Sequence, residues 1–199
     1  MKRLTVLLGL LVALTGCGGM DAKEFAESKP RLVLEEYFQG KTRAWGIFVD
    51  RFGDLRRQFA VDIDGTWDGQ ELVLDEDFTY GDGEKDRRVW RIRKIDEHRY
   101  EGRADDVIGT AEGSSYGNAL NWRYDLDLKV GDSTWRVTFN DWMFLQDGGV
   151  LLNKASVTKW GFEIGTVFIA FRKGEEAAAV NPTINEIGEF FPRAVAKAG

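Results

Sequence analysis

NALNWRYDLDLKVGDSTWRVTFNDWMFLQDG, residues 118–148, is the stretch that decides how this chain folds. From Leu120 to Lys129 the residues alternate without a break. Leu120, Trp122, Tyr124, Leu126 and Leu128 fall on one side, and Asn121, Arg123, Asp125, Asp127 and Lys129 on the other. A period of two marks a half-buried strand, because successive side chains leave a pleated backbone on opposite faces. Gly131-Asp132 supplies a two-residue turn with glycine first, as a type II′ turn requires. Such a turn sets Leu128 opposite Trp135, Leu126 opposite Val137 and Tyr124 opposite Phe139. The apolar faces of both strands coincide, so the register is self-consistent.

The same pattern extends outward in both directions. Trp45, Ile47 and Val49 alternate before loop residues at Asp50 to Asp54. Phe59, Val61 and Ile63 alternate before Trp67-Asp68-Gly69-Gln70. Leu72 to Tyr80, Val89 to Ile95, Tyr100 to Thr110, Val150 to Lys159 and Thr166 to Arg172 follow, most of them joined by short turns. That makes about nine strands with no helical period between them, which disfavours a parallel sheet with crossover helices. Two antiparallel solutions remain, a closed barrel and a two-sheet sandwich. Consecutive hairpins favour the barrel, whose closure removes the edge strands. The expected fold is therefore all-β, an antiparallel up-and-down meander barrel. Seven tryptophans, 23 glycines and three prolines in 199 residues suit tight turns around a bulky interior. Trp142-Met143-Phe144-Leu145 interrupts the alternation. Either a β-bulge shifts the phase, the commoner and expected solution, or both faces are covered there.

The turns permit finer registers. A two-residue turn at Asp68-Gly69 sets Ile63 opposite Leu74, Val61 opposite Glu76 and Phe59 opposite Phe78. A three-residue loop at Asp82 to Glu84 sets Leu74 opposite Ile92, Glu76 opposite Trp90 and Phe78 opposite Arg88. Four charged residues then share the apolar face: Arg57, Glu76, Arg88 and, through a three-residue turn at Asp96 to His98, Asp106. Charges there are costly unless paired, so the four are expected to form a network. As a purely structural device this is an ion-pair ladder. As a binding device, Arg57 or Arg88 would hold the carboxylate or phosphate of an acyl ligand, with Phe78, Trp122, Tyr124 and Phe139 around its chain.

The first residues read as an address. Lys2 and Arg3 precede an apolar run from Leu4 to Leu14, too short to span a bilayer as a helix. Leu14-Thr15-Gly16-Cys17 resembles the bacterial lipobox, and the resemblance implies cleavage before Cys17 and lipidation of its thiol. Gly18 in place of an acidic residue resembles the pattern sorted to an outer membrane, which implies an anchored protein facing the periplasm. Cys17 is the single cysteine of the sequence, so a disulfide within it is excluded. The expected organisation is a leader over 1–17, a polar tether over 18–30, a barrel over 31–173 and a tail over 174–199. Within the barrel segment, Arg31 to Gly40 could form a short helix or turn leading into the first strand.

A net charge of −6 without a basic cluster argues against nucleic acid as a partner. Gly113-Ser114-Ser115-Tyr116-Gly117 fits the G-x-S-x-G pattern, but that chemistry needs a strand-to-helix turn and a histidine base. This stretch is expected to be a strand-to-strand loop, and the sole histidine, His98, is expected to be a solvated turn residue. Asp75-Glu76-Asp77 and Asp105-Asp106 split between the two faces of their strands, so they do not form paired acids. No catalytic residue, metal ligand or cofactor is expected.

The segments GKTRAWGIFVDRFG, GTWDGQELVLDEDFTYGDGE, RVWRI, YEGRADDVIG, YGNALNWRYDL, NDWMFLQDGGVLLN and TKWGF closely resemble domain-of-unknown-function family 3833 over about Tyr37 to Lys173. That resemblance implies bacterial lipoproteins with a lipocalin-like barrel, and it implies no activity. More loosely, calycin barrels pair a first-strand tryptophan with a last-strand arginine that packs across it. Trp45 and Arg172 are the candidates. Gly65-Thr66-Trp67 matches the lipocalin G-x-W tripeptide but follows the first hairpin, a departure from the lipocalins proper. The function expected is a membrane-anchored barrel that binds a hydrophobic molecule such as an acyl lipid. The alternatives are a filled barrel with a structural or interaction role and, third, an enzyme acting on lipid.

Overall fold

Leu120 to Lys129 forms the strand its alternation predicts. In the computed structural model, which describes residues 19–130 and 133–174, β7 (Ala119–Val130) pairs antiparallel with β8 (Ser133–Leu145). Leu128 faces Trp135, Leu126 faces Val137 and Tyr124 faces Phe139, as expected. Gly131-Asp132, the leader with Cys17, and residues 175–199 lie outside the described residues.

The remaining strands are β1 (Gly40–Asp50), β2 (Leu55–Trp67), β3 (Glu71–Tyr80), β4 (Lys85–Lys94), β5 (Arg99–Arg103), β6 (Val107–Tyr116), β9 (Val150–Lys159) and β10 (Phe162–Lys173). Each pairs with its neighbour in sequence, and β1 pairs with β10, closing an antiparallel meander barrel. There are ten strands where nine were expected. The run from Tyr100 to Thr110 is divided by a turn in which the Val107 amide donates to the Ala104 carbonyl. The G-x-S-x-G stretch consequently lies mostly within β6 instead of a loop. Every strand edge is paired between residues 40 and 173, so the barrel is complete within the described chain.

Two registers differ from expectation by two residues, which keeps every side chain on its predicted face. At the β2–β3 turn, Trp67 faces Leu72, leaving a four-residue loop, and Ile63 faces Glu76. The cause is Asp68, whose Oδ1 accepts from the Gln70 and Glu71 amides and spreads the turn. At the β3–β4 turn the loop is three residues long but centred one residue earlier. The Tyr80 amide donates to the Glu84 carbonyl, so Glu76 faces Arg88 and Leu74 faces Trp90. The β4–β5 register is the one expected, with Lys94 opposite Tyr100.

One end of the barrel is plugged. Leu34, Tyr37 and Phe38 recur at i, i+3 and i+4, one face of a helical turn. They form α1 (Leu34–Phe38) and are buried with Leu32 in the main core. Tyr37 donates its hydroxyl to the carbonyls of Gly149 (3.0 Å) and Phe171 (3.2 Å). Burial pushes the Glu35 carboxyl up, but hydrogen bonds from Lys94, its own backbone and Tyr100 outweigh this and leave it below the ordinary value.

The stretch expected as a tether lies against the barrel wall. Ala22 is buried, and the Phe25 ring sits 6.1 Å from Trp142 and 5.2 Å from Phe144. Trp142 and Phe144 point outward, while Asp141, Met143 and Leu145 point in. No bulge interrupts the β7–β8 ladder. Both faces of β8 are covered, which corrects the expected phase shift.

Gly65, the glycine of G-x-W, is where α1 approaches the sheet most closely. A Cβ there would stand 1.7 Å from the Phe38 carbonyl oxygen. Gly65→Ala must therefore lift the plug, and urea denaturation should show a loss on the order of 3 kcal/mol. An unchanged midpoint would contradict this packing.

Candidate functional site

The plug leaves the other end open. Between α1 and that mouth the inward side chains enclose a cavity of about 570 Å³, and all seven ligand-binding candidates line it: Arg57, Glu76, Phe78, Arg88, Trp122, Tyr124 and Phe139. Its wall is mainly aromatic. Trp90 meets Trp122 edge-on at 5.7 Å and Tyr124 at 5.3 Å, and Tyr124 stacks on Phe139 at 5.1 Å. Trp122 fits because Gly113 and Gly102 stand against it. A Cβ at either position would come within 2.5 Å of the indole.

A polar belt crosses this wall. Arg88 lies opposite Glu76 and donates from Nε and Nη2 to Asp106, at 2.6 Å for the shortest bond. Three of the four charges expected to meet do so. Arg57 does not join them. It lies at the rim, stacked 3.7 Å over the Tyr80 ring and bonded to Asp82 and Glu84 of the β3–β4 turn. The acids of that turn reach it first, which corrects the four-member network.

The belt contains a residue that sequence reasoning missed. Asp141 on β8 is 5% exposed and accepts a 2.8 Å bond at Oδ1 from Asn153. Its Oδ2 and the Asn153 Oδ1 have no hydrogen-bond partner among the described residues. The signal was present, since Asp141 continues the inward series Trp135, Val137, Phe139. Burial pushes Asp141 up to about 7 against the Asn153 bond and the Arg88 charge. It pushes Glu76 up to about 7 against Arg88. Both guanidiniums are already bonded to carboxylates, so the belt is richer in acceptors than in available cations.

The remaining candidates lie elsewhere. Trp45 and Arg172 share the outer face of the barrel, with Trp45 opposite Ala170 on β10. Trp45 borders an outer groove of about 490 Å³ with Ile47, Leu152 and Phe168, and Arg43 sits 5.9 Å over its ring. Ser115 is buried and donates to the Leu32 carbonyl at 3.1 Å. His98 is half-buried and not solvated as expected. It stacks on Tyr116 at 3.9 Å, with Nδ1 2.9 Å from the Ser115 carbonyl.

Residues 11–173 match the family model described as protein of unknown function (DUF3833). Among solved structures the chain is similar to the S-type phycobiliprotein lyase CPES from Guillardia theta. The two share 9% identity with a TM-score of 0.51, covering 70% of this chain and 90% of that one. At that identity the likeness is one of fold, a lipocalin-like barrel. No curated protein matches the chain.

The belt has a pH signature. Asp141 and Glu76 bind protons more tightly folded than unfolded, so stability declines as pH rises from their ordinary values of 3.8 and 4.5 towards 7. The loss is at most about 4 kcal/mol for Asp141 and about 3 kcal/mol for Glu76. Turn amides hold Asp68, Asp82 and Asp96 below 3.8, and that contribution is lost as pH falls through their folded values. Stability measured by denaturation at a series of pH values should therefore peak between these ranges. Asp141→Asn should flatten the limb on the neutral side, and an equally steep limb in that variant would refute the assignment.

Proposed function

The chain belongs to the DUF3833 family of proteins of unknown function, and on that premise we propose that it is a lipid-anchored envelope protein whose barrel carries one hydrophobic molecule, best matched by an acyl lipid. The observation that carries this reading is the hollow interior. A barrel of this size can be filled by its own side chains or hold a ligand. Here about 570 Å³ remains between the plug and the mouth, within the roughly 300–1,000 Å³ range of small-molecule pockets. A filled barrel with only a structural role would lack that space.

An acyl chain would lie among Trp122, Tyr124, Phe139 and Phe78, with its head group at the polar belt. Because Arg88 and Arg57 already bond to Asp106, Glu84 and Asp82, a head group that donates hydrogen bonds to Glu76 suits the belt better than a bare carboxylate. The reading is one of binding without catalysis. It is supported by the burial of Ser115 and by the structural bonds of His98. Cys17 would carry the anchor, and the outer membrane, facing the periplasm, is the proposed location.

Native mass spectrometry of the polypeptide from residue 19 onward, purified under mild conditions, should show a reproducible small-molecule adduct. Val167→Phe, which fills space on the cavity wall, should lower its occupancy at least roughly tenfold. An adduct undiminished by that variant would place the ligand outside the cavity. For the anchor, Cys17→Ser should abolish incorporation of radiolabelled palmitate in cells, and retained label would rule it out.

A further inference from the structure

Large apolar side chains that stand in water at turn tips need an explanation beyond folding. Phe52 is 75% exposed, Trp160 85% and Phe162 72%. The β1–β2 turn carries the first, the β9–β10 turn carries Trp160, Phe162 opens β10 directly after it, and both turns lie at the mouth. They are neighbours around the rim, since the Arg51 amide donates to the Ile164 carbonyl at 3.0 Å.

Both turns are built to hold these rings out. In the β1–β2 turn, Asp50 Oδ1 accepts from the Phe52 and Asp54 amides at 2.9 and 3.0 Å. In the β9–β10 turn, Lys159 faces Phe162 across two residues, Trp160 and Gly161, with φ of 53° and 83°. Positive φ at both positions is the type I′ geometry, which favours asparagine at the first. Trp160 is the one non-glycine among the described residues with positive φ. A bulky side chain there is strained, and strain that persists at an exposed tip points to use.

A cation accompanies the rings in each turn. The Arg51 guanidinium lies 4.7 Å from the Phe52 ring, and Lys159 Nζ lies 3.4 Å from the Trp135 ring and 4.6 Å from that of Trp160. Aromatic rings flanked by long basic side chains suit the bilayer interface, where the ring sits among head groups and the cation reaches phosphate. The β3–β4 and β5–β6 turns, further round the rim, carry Asp82, Glu84, Asp86 and Asp105 together with Lys85 and Arg87, and have no exposed ring among the described residues. We propose that the β1–β2 and β9–β10 turns form a wedge that docks into a phospholipid bilayer through Phe52, Trp160 and Phe162, tilting the barrel so that its mouth opens onto the lipid. This stands on the rim alone and does not require the cavity to hold lipid. Around the wedge Arg51, Arg56 and Lys159 are balanced by Asp50, Asp54 and Glu163, so ring burial drives the docking and salt has little effect.

The test is flotation of the polypeptide from residue 19 onward with vesicles of phosphatidylethanolamine and phosphatidylglycerol, at low and high salt. The parent should float at both salt levels. Trp160→Asn and Phe52→Ser should each lower partitioning roughly tenfold or more. Trp160→Asn should also leave the melting temperature unchanged or higher, because asparagine relieves the turn, and this separates lost docking from lost folding. The proposal is overturned if the parent does not float, or if both variants float equally well. A concentration-dependent dimer abolished by Trp160→Asn, without vesicle binding, would overturn it in favour of a second copy of this chain.

Discussion

β1 meets β10 along a ladder from Thr42 opposite Lys173 to Asp50 opposite Gly165. It joins residues more than a hundred positions apart, and the interior depends on it. Without that seam the other ladders make an open meander with two bare edges, a template for association with other chains. With it, ten strands enclose a volume that only α1 and the mouth can close. Loop closure over such a distance costs entropy before it returns contacts. The plug adds to the return, since Tyr37 donates to the Phe171 carbonyl on β10 and Phe38 packs edge-on against Phe171 at 5.7 Å. Plug and seam support each other.

The polar belt sets the terms for anything held inside. Asp106, Glu76 and Asp141 stand near a single interior guanidinium among the described residues, that of Arg88. Carboxylates removed from water without full pairing are unfavourable, and two of these respond by holding their protons up to about pH 7. An apolar residue at position 141 would relieve the unpaired oxygen.

Much of this was legible in the sequence because alternation is a local property. Trp122, Tyr124 and Phe139 were placed on the inner face by period, Glu76 and Arg88 by period and turn register together, and register errors of two residues left that placement intact. What failed depended on side chains acting at a distance. Asp68 widened a turn that its Asp-Gly dipeptide suggested would be tight. Phe25, far from β8 in sequence, covers Trp142 and Phe144, so their apolar character looked like a broken phase and hid Asp141. Arg57 was given the right face, but Asp82 and Glu84 hold it at the rim. The rim rings gave no periodic signal, because turn tips have none.

The segment that carries Phe25 reaches the barrel beside Gly117, where a Cβ would meet the Phe25 carbonyl at 1.7 Å. That is the plugged end. Three residues separate Cys17 from Asp21, a reach of at most about 14 Å, whereas the strands hold the mouth roughly 30 Å from the plug. A chain lipidated on Cys17 would stand on its base with its opening turned away from the leaflet that anchors it. Any bilayer that takes the rings of the mouth would then be a different one from the leaflet that holds the anchor, and the barrel's own height would set how far the protein reaches.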